Sequence, residues 1–398
     1  MGMRRRITRL IGSLSLAGVL LGGALVAPAQ AAAAQVPTRL TEISAEPYSL
    51  AENGSFETYA PRIASLNGRL AGADVADVLA DANRAGRSLC HSTGVSGATG
   101  FCWATGDDNT PDWYPQGLTG SWDASAGGTY AGRRVMLASW YDATGDRGVR
   151  ISFVDYDDPS DVRYRHVLLV EPTSTTNFRA VNIHAGGVAW AGDYLYVMDT
   201  NRGIRVFDLR TLWRTAGDTT KSRIGLVDGQ YYAHDYRYVL PQVGSYTQTG
   251  SCSRPVSSVT APLCFSYGAV DRSTSPVTIV TGEYYDGIGG ARLVRWPVAG
   301  NGLATDSTGV VAPTAAYQSP HTNLQGVASY GGDYLVDRSR GSSTRGILYR
   351  SRVGGTATSS SLPIGPEDLS YQAAAGRAWT QSEYPGSRMV FSVPITLG

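Results

Sequence analysis

Six polar residues stand at corresponding places along this chain, each just before or at the start of a short apolar stretch. Histidine titrates near neutral pH and carboxylates bind cations or exchange protons. Such a set could bind a polar ligand, hold a metal ion or act as acid and base, and a purely structural role at strand ends is also open. We predict one ligand-binding site without a metal, formed by Gln116, His184, His321, Gln325, Glu367 and Asp368.

Three carboxylic acids are candidates for catalysis, namely Glu283, Glu367 and Asp368. Hydrolysis of a glycosidic bond needs two carboxyl groups at a suitable separation, and their separation cannot be read from the sequence. The sequence has no G-x-S-x-G, H-E-x-x-H, P-loop or dinucleotide-binding motif, which disfavours acyl transfer, metalloprotease and nucleotide chemistry. No cofactor is predicted. The acidic residues Asp107 and Asp108 are interpreted as part of a solvated turn.

A recurring unit of three strands must position these residues. Its clearest copies span residues 187–199 with 202–209, and residues 326–337 with 345–350. Each copy has a short apolar strand opened by glycine, a turn at Gly-Asp, a second apolar strand, and a third strand after an Arg-Gly turn. Five units are visible, and they start at Gly117, Gly187, Gly268, Gly326 and Asp368.

This repeat predicts an all-β protein with the β-propeller fold. One unit cannot bury both of its faces, so several must pack around a common core. A sandwich or a barrel shares part of the strand signal, whereas a solenoid needs a more constant repeat length. The uneven spacing leaves the blade count between five and seven. A short helix is predicted over 74–85, with Val75, Val78, Leu79 and Ala82 on one face.

The propeller fold gives the six polar residues a common location. The innermost strand of each blade lines the central channel, and the loops that enter these strands meet at one mouth of the channel. The polar residues occupy those entries, so they are expected to converge although they are far apart in sequence. Convergent polar groups in a concavity are the usual mark of a binding site.

The charge balance excludes one class of partner. The chain has 34 basic and 33 acidic residues and a net charge of +1, so it lacks the basic surface of a nucleic-acid-binding protein. It is also rich in tyrosine and tryptophan, whose flat amphipathic rings suit the faces of sugars or a protein partner. An extracellular glycan or protein is the predicted partner, and the chain is expected to be a monomer.

The first 34 residues predict export. Arg4, Arg5 and Arg6 precede an apolar stretch over 10–26 and then small-residue cleavage sites, the pattern of a secretory signal peptide. The predicted domains are therefore a signal peptide over 1–34, an N-terminal segment over 35–115 that packs onto or completes the propeller, and the propeller over 116–398. We therefore predict that the protein is secreted and that it has no membrane anchor once the signal peptide is removed.

Four cysteines fall into two local pairs. Cys90 and Cys102 are separated by twelve positions, as are Cys252 and Cys264. An exported chain meets an oxidising compartment, which favours two local disulfides. A metal site is the rival interpretation, but neither pair has the C-x-x-C spacing that it would favour.

In its composition, export and architecture, the chain resembles secreted β-propeller proteins of actinobacteria of the dispase autolysis-inducing type. Its basic residues are arginines apart from Lys221, a bias typical of such GC-rich sources. The resemblance implies a protease-modulating protein or a transglutaminase substrate, in which the chain would serve almost solely as a glutamine donor. We favour non-catalytic binding of a glycan or protein at the channel mouth. The first alternative is a carbohydrate-active hydrolase or lyase using the same mouth, and the second is the role that the resemblance implies.

Overall fold

The computed structural model describes residues 37–217, 221–256, 258–285, 290–300 and 302–398. The predicted signal peptide over 1–34 lies outside the described residues. None of the helices in the described part of the chain is both long and apolar enough to cross a membrane.

The N-terminal segment forms short strands and three helices. They are β1 (Thr41–Ile43), β2 (Leu50–Ala51), α1 (Ser55–Asn67), β3 (Gly72–Ala73), α2 (Val75–Ala80), β4 (Arg84–Ala85), β5 (Arg87–Ser88), β6 (Thr99–Cys102) and α3 (Thr105–Asn109).

Each predicted unit forms the three inner strands of an antiparallel sheet, and a fourth strand completes each sheet. Blade 1 has β7 (Trp113–Gly120), β8 (Val135–Asp142), β9 (Val149–Asp155) and β10 (Arg163–Pro172), with α4 (Ser121–Ala124) after β7 and β11 (Phe178–Ala180) paired to β10. Blade 2 has β12 (Val188–Ala191), β13 (Tyr194–Asp199), β14 (Gly203–Asp208) and β18 (Tyr238–Thr247); β15 (Leu212–Arg214) and the hairpin β16 (Ile224–Val227) and β17 (Gln230–Ala233) precede β18.

The remaining blades follow the same plan. Blade 3 has β19 (Tyr267–Asp271), β20 (Thr278–Gly282), β21 (Arg292–Ala299) and β24 (Ala315–Gln318), with short strands β22 (Gly302–Leu303) and β23 (Val310–Val311). Blade 4 has β25 (Leu324–Tyr330), β26 (Asp333–Arg338), β27 (Arg345–Arg352) and β28 (Thr358–Ile364). Blade 5 has β29 (Pro366–Gln372), β30 (Arg377–Ser382) and β31 (Met389–Pro394), with a 3-10 turn over Ala373–Ala375. The predicted all-β propeller is confirmed, and the described residues form five blades.

The two ends of the described chain close the ring. β6 from the N-terminal segment pairs with β31 from the C-terminus, so it supplies the fourth strand of blade 5. The same segment adds β1 to the outer edge of blade 3, next to β24. A closed ring removes the exposed sheet edges that an open arrangement would leave at its first and last blades.

The glycines that open units 1, 2 and 4 are required because neighbouring inner strands pack backbone against backbone around the channel. A Cβ atom on Gly117 would lie 2.6 Å from the backbone nitrogen of Val188, and one on Gly187 would lie 2.4 Å from Cα of Tyr267. Neither backbone atom can move aside without disturbing its own strand. The repeated glycine is therefore a packing signal of the propeller itself.

The N-terminal helices correct two expectations. The helix predicted over 74–85 ends at Ala80; Asp74 caps its start through a capping box with Asp77, and Arg84–Ala85 instead forms β4 against β10. The longer helix α1 was not predicted, because Pro61 and a mixed polar pattern hide its periodicity. Tertiary packing outweighs the local pattern in both places.

Both predicted disulfides are present. Cys90 is bonded to Cys102 and Cys252 to Cys264. The first anchors the segment before β6 in blade 5, and the second closes a loop between blades 2 and 3. That second loop reaches the channel mouth described next.

Candidate functional site

The entries of three inner strands bring Gln325, Glu367 and Gln116 into one hydrogen-bonded chain. Gln325 on β25 donates its side-chain amide to Oε1 of Glu367 on β29, at 2.6 Å. Gln116 on β7 donates to Oε2 of Glu383, at 3.0 Å. A hydrogen bond between the Glu367 and Glu383 side chains joins the two halves. Blades 4, 5 and 1 thus meet at a buried polar cluster, which we call the mouth cluster.

The two carboxyl groups of the mouth cluster have raised pKa values. Burial, then the neighbouring Glu383 charge, raises the pKa of Glu367 well above its usual range. Burial also raises the pKa of Glu383, although hydrogen bonds from Tyr384, Gln116 and Glu367 oppose that shift. Two adjacent carboxylates repel each other, so ionisation of both groups is unfavourable. Glu367 is 1% exposed and fits the role of the protonated partner.

Asp368 lies one layer below and holds the inner strands together. Its Oδ2 accepts the backbone N–H groups of Leu118 in blade 1, at 3.0 Å, and Val188 in blade 2, at 3.2 Å. Its Oδ1 accepts the N–H of Leu369. Burial raises the pKa of Asp368 well above its usual range, against the effect of these three donors. This side chain is fully buried, so it contacts strands rather than open space.

The two predicted histidines lie in different surroundings. His184 lines the cavity described below and packs against Tyr141, with ring centroids 4.7 Å apart. Part of its ring is exposed, yet desolvation and then the Arg254 charge lower its pKa to about 4, so it is neutral at neutral pH. His321 stacks on Tyr349 at 3.6 Å and does not line the cavity.

The candidate acid Glu283 is separated from the mouth cluster by its own ion pair. Arg292 binds it through two nitrogens, each 2.6 Å from a carboxylate oxygen. Oε1 of Glu283 also accepts the N–H of Cys264 at 2.8 Å, which ties the second disulfide loop to blade 3. Its oxygens are committed to protein donors, and the side chain does not line the cavity.

Above the mouth cluster lies a cavity of about 880 Å³, within the range of ligand sites. Loops from blades 2 to 5 and the second disulfide loop form its walls. Most of the side chains that line the cavity are polar or aromatic. Among the described lining residues, Glu383 is the one carboxylic acid. The lining consists of His184, Thr200, Asn201, Cys252, Arg254, Ser266, Tyr284, Asn323, Gln325, Arg338, Ser339, Arg340, Gly341, Glu383 and Tyr384.

Several residues line the cavity besides those predicted for the site. Tyr284 is fixed by a hydrogen bond from the Asn323 side chain, at 2.8 Å, and by Arg254 above its ring, at 5.2 Å. Asn323 adopts a φ of 56°, a left-handed conformation that asparagine tolerates better than most residues. Glu383 directly follows β30, as Glu283 directly follows β20, and each precedes a tyrosine, so a comparison of these strand ends is the signal that could have found it.

A further buried acid lies near the channel. Asp337 ends β26, is fully buried, and accepts a hydrogen bond from Thr380 at 3.3 Å, while its Oδ1 has no partner among the described residues. Burial raises its pKa to about 8. Asp337 is therefore largely protonated at neutral pH, and it adds little negative charge beneath the mouth.

Asp107 contradicts its interpretation as part of a solvated turn. It lies on α3, is 7% exposed, and contacts Arg84, Arg150 and His166 at 3.0, 3.0 and 3.1 Å. Burial alone would raise the pKa of Asp107, but His166 and the two arginines hold it well below its usual range. We call this group the Asp107 hub.

The Asp107 hub includes an arrangement similar to a hydrolase triad. Ser152 lies 2.9 Å from Nδ1 of His166, whose Nε2 contacts Asp107. Trp140 donates its indole N–H to the Ser152 oxygen at 2.8 Å, and Ser152 is fully buried. Burial and then the Arg150 charge lower the pKa of His166 to about 3. A nucleophile must reach its substrate, so this buried serine is a structural hydrogen-bonding group.

The described residues offer one group of metal-ligating atoms, Cys90, His91 and Cys102. The two cysteines of that group form a disulfide and therefore have no thiolate to offer. His184, His321 and Glu367 do not gather into such a group.

No protein-family model matches the chain, and no curated protein matches it in sequence. Among solved structures, it is similar to the GH43_1 enzyme from Xanthomonas citri complexed with xylotriose, at 11% identity over 84% of this chain and 93% of that chain, with a TM-score of 0.35. It is also similar to Kuenenia stuttgartiensis hydrazine synthase, at 12% identity over 73% of this chain and 89% of that chain, with a TM-score of 0.27. These similarities are too distant to support a function, which has to be argued from the cavity.

Proposed function

We propose that this protein is a secreted propeller that binds an extracellular glycan in the channel-mouth cavity without cleaving it. The observation that carries the proposal is the cavity itself, about 880 Å³ in volume, walled by polar and aromatic side chains from several blades. Export remains part of the proposal, supported by the signal sequence and the two disulfides.

The chemistry of the walls suits a sugar. Tyr284 offers an aromatic ring whose hydroxyl accepts a hydrogen bond from Asn323 and which has Arg254 over one face. Asn201, Asn323 and Gln325 offer amide groups that can donate and accept hydrogen bonds. Sugar rings present apolar faces and a rim of hydroxyls, which match an aromatic platform surrounded by amides. A concave pocket of this size encloses a few sugar units better than it accommodates the flat surface of a protein partner.

The arrangement of the carboxyl groups argues against glycoside hydrolysis. Retaining enzymes hold two carboxyl groups about 5–5.5 Å apart, and inverting enzymes about 6.5–9.5 Å, on either side of the bond that they cleave. Here Glu367 and Glu383 are in direct hydrogen-bond contact, and Glu367 is buried beneath the cavity wall. Glu283 and Asp368 are held by protein donors. Candidate acids therefore do not flank the cavity as a pair among the described residues.

A hydrolase is the second candidate, favoured by one observation. Glu383 faces the cavity and burial raises its pKa, which a general acid needs. Such an enzyme would also need a second carboxyl group or an activated water on the opposite wall of the cavity from Glu383. Release of reducing sugar therefore separates the two candidates.

The test uses the purified mature protein and a panel of polysaccharides. We expect retention by at least one glycan in affinity electrophoresis, loss of that retention in Tyr284→Ala, and no release of reducing sugar. Tyr231→Ala is the matched control, because this half-buried tyrosine stacks on Phe178 outside the cavity. The proposal fails if no glycan is retained, or if Tyr231→Ala and Tyr284→Ala weaken binding equally. Reducing-sugar release would replace it with the hydrolase.

A further inference from the structure

Three arginines around the cavity have no acidic partner. Arg254 lies on the second disulfide loop, Arg338 ends β26, and Arg340 follows it. None of them forms an ion pair with a described residue; Arg254 and Arg340 are exposed, and Arg338 is partly buried. Two buried arginines of blade 3, in contrast, have acidic partners. Arg292 pairs with Glu283 at 2.6 Å, and Arg295 pairs with Asp271 at 2.8 Å. The cavity therefore holds guanidinium groups whose charge the described protein leaves uncompensated.

Two polar atoms at the cavity wall are buried without a hydrogen-bond partner among the described residues. They are Nε of Arg338 and Oγ1 of Thr200, and both residues line the cavity. An unmet buried donor is unfavourable, and native structures keep few of them unless a ligand or water completes them. A ligand oxygen that reached Nε of Arg338 would satisfy this donor.

The acidic groups nearby do not cancel this charge. Burial raises the pKa of both Glu367 and Glu383 and so opposes their ionisation. Burial raises the pKa of Asp337 to about 8, so it adds little charge at neutral pH. His184 is neutral because its pKa is lowered to about 4. The three guanidiniums therefore face acids whose ionisation is unfavourable, which favours a positive charge at the described cavity walls.

We propose that the glycan bound in this cavity carries an oxyanion, such as the carboxylate of a uronic acid or a sulfate ester. The inference rests on the proposed glycan-binding function and names the class of its ligand. Arginine suits this role better than lysine, because its planar fork donates two parallel hydrogen bonds to an oxyanion. Arg338 is the expected anchor, since its partly buried guanidinium has an unmet donor at the wall.

Titration calorimetry at low salt with three probes tests the inference. The probes are a short oligogalacturonate, its fully methyl-esterified form and a sulfated oligosaccharide of similar length. We expect an anionic probe to bind at least about tenfold more tightly than the neutral ester. Tighter binding of the galacturonate identifies a carboxylate as the oxyanion, and tighter binding of the sulfated probe identifies a sulfate.

Variants locate the effect. Arg338→Ala should lower the ratio of the affinity for the anionic probe to the affinity for the neutral ester to about one, and Arg338→Lys should restore part of that ratio. Arg69→Ala is the control, because Arg69 is exposed, forms no ion pair with a described residue and lies outside the cavity. Thermal melting of each variant shows that it is folded.

Different results would overturn the oxyanion inference and the glycan-binding proposal. Equal affinity for the acid and its ester, or an unchanged preference in Arg338→Ala, overturns the oxyanion inference and leaves the glycan-binding proposal intact. Absence of binding by all three probes overturns the oxyanion inference too. The glycan-binding proposal falls only when the wider polysaccharide panel also shows no retention.

Discussion

The Asp107 hub and the mouth cluster both bury charged groups in the same propeller, but they treat those groups in opposite ways. In the hub, Asp107 contacts two arginines and a histidine, and its pKa is held well below the usual range. In the mouth cluster, Glu367 contacts another carboxyl group and its pKa is raised. The hub pairs its buried acid with basic groups, whereas in the mouth cluster two acids are neighbours and the arginines around the cavity have no acidic partner among the described residues.

This difference separates a structural role from a functional one. Paired buried charges hold α3 against blade 1, where a broken pair would leave an unsatisfied charge. Unpaired charges and neighbouring buried acids beside an open cavity are costly to the fold, and such perturbed groups concentrate at functional sites. The triad-like geometry of Ser152, His166 and Asp107 would attract attention by shape alone. Because Ser152 is buried and Asp107 is paired with basic groups, the functional site is expected at the channel mouth instead.

The largest expected effect comes from replacing one buried carboxylic acid in each region by the amide of the same shape. Asp107→Asn should lower the free energy of unfolding by about 3–5 kcal/mol, because Arg84 and Arg150 lose their buried partner. Glu367→Gln should change it by less than about 1 kcal/mol at neutral pH, since burial raises the pKa of Glu367 and favours its neutral form. Urea unfolding followed by fluorescence measures both. Equal losses in the two variants would remove the distinction between the regions.

Ser152→Ala tests whether the Asp107 hub is structural or catalytic. The change leaves the indole N–H of Trp140 and Nδ1 of His166 without their partner, so we expect a loss of about 2 kcal/mol in unfolding free energy. Glycan binding should be unaffected, and the wild-type protein should not hydrolyse p-nitrophenyl acetate above background. An esterase activity that disappears in Ser152→Ala would show that the hub is catalytic.

A smaller effect is expected in the pH dependence of stability. The folded-state pKa of Asp337 is about 8, above the unfolded value of about 3.9. Its contribution to stability is therefore complete below about pH 4 and is lost as the pH rises toward 8. In Asp337→Asn, the decline in unfolding free energy between about pH 5 and about pH 8 should shrink by at least about 1 kcal/mol.

The control for this pH experiment is Asp161→Asn, which changes an exposed acid in a surface ion pair with Arg163. It should leave the pH profile as in the wild type, because exposed pairs contribute little. A profile in Asp337→Asn that matches the wild type would mean that Asp337 is ionised in the folded protein. The positive charge of the cavity walls would then be smaller than argued above.

The sequence predicted the fold well because its signal is local. Gly117, Gly187 and Gly326 recur at strand starts, where a Cβ would strike the neighbouring blade, so the repeat records the packing of the ring. The same alignment predicted that Gln116, Gln325 and Glu367 would approach one another, and the structure joins them through Glu383. Glu383 was not predicted, although it follows β30 as Glu283 follows β20 and both precede a tyrosine, because only the starts of the units were compared.

Charge pairing was beyond prediction from the sequence. Arg292 and Arg338 look alike in the chain, yet one is held by Glu283 and the other has an unmet donor at the cavity wall. Asp107 looked like a turn residue because the arginines that surround it come from β4 and from β9. Whether a buried charge is satisfied depends on residues brought together by the fold, and only coordinates report that.

The most direct test of the central claim is a crystal structure of the mature protein soaked with a glycan that it retains. Our account predicts an intact oligosaccharide in the channel-mouth cavity, with a sugar ring against Tyr284 and an oxyanion on Arg338. A glycan bound on another surface, or cleaved fragments within the cavity, would contradict it.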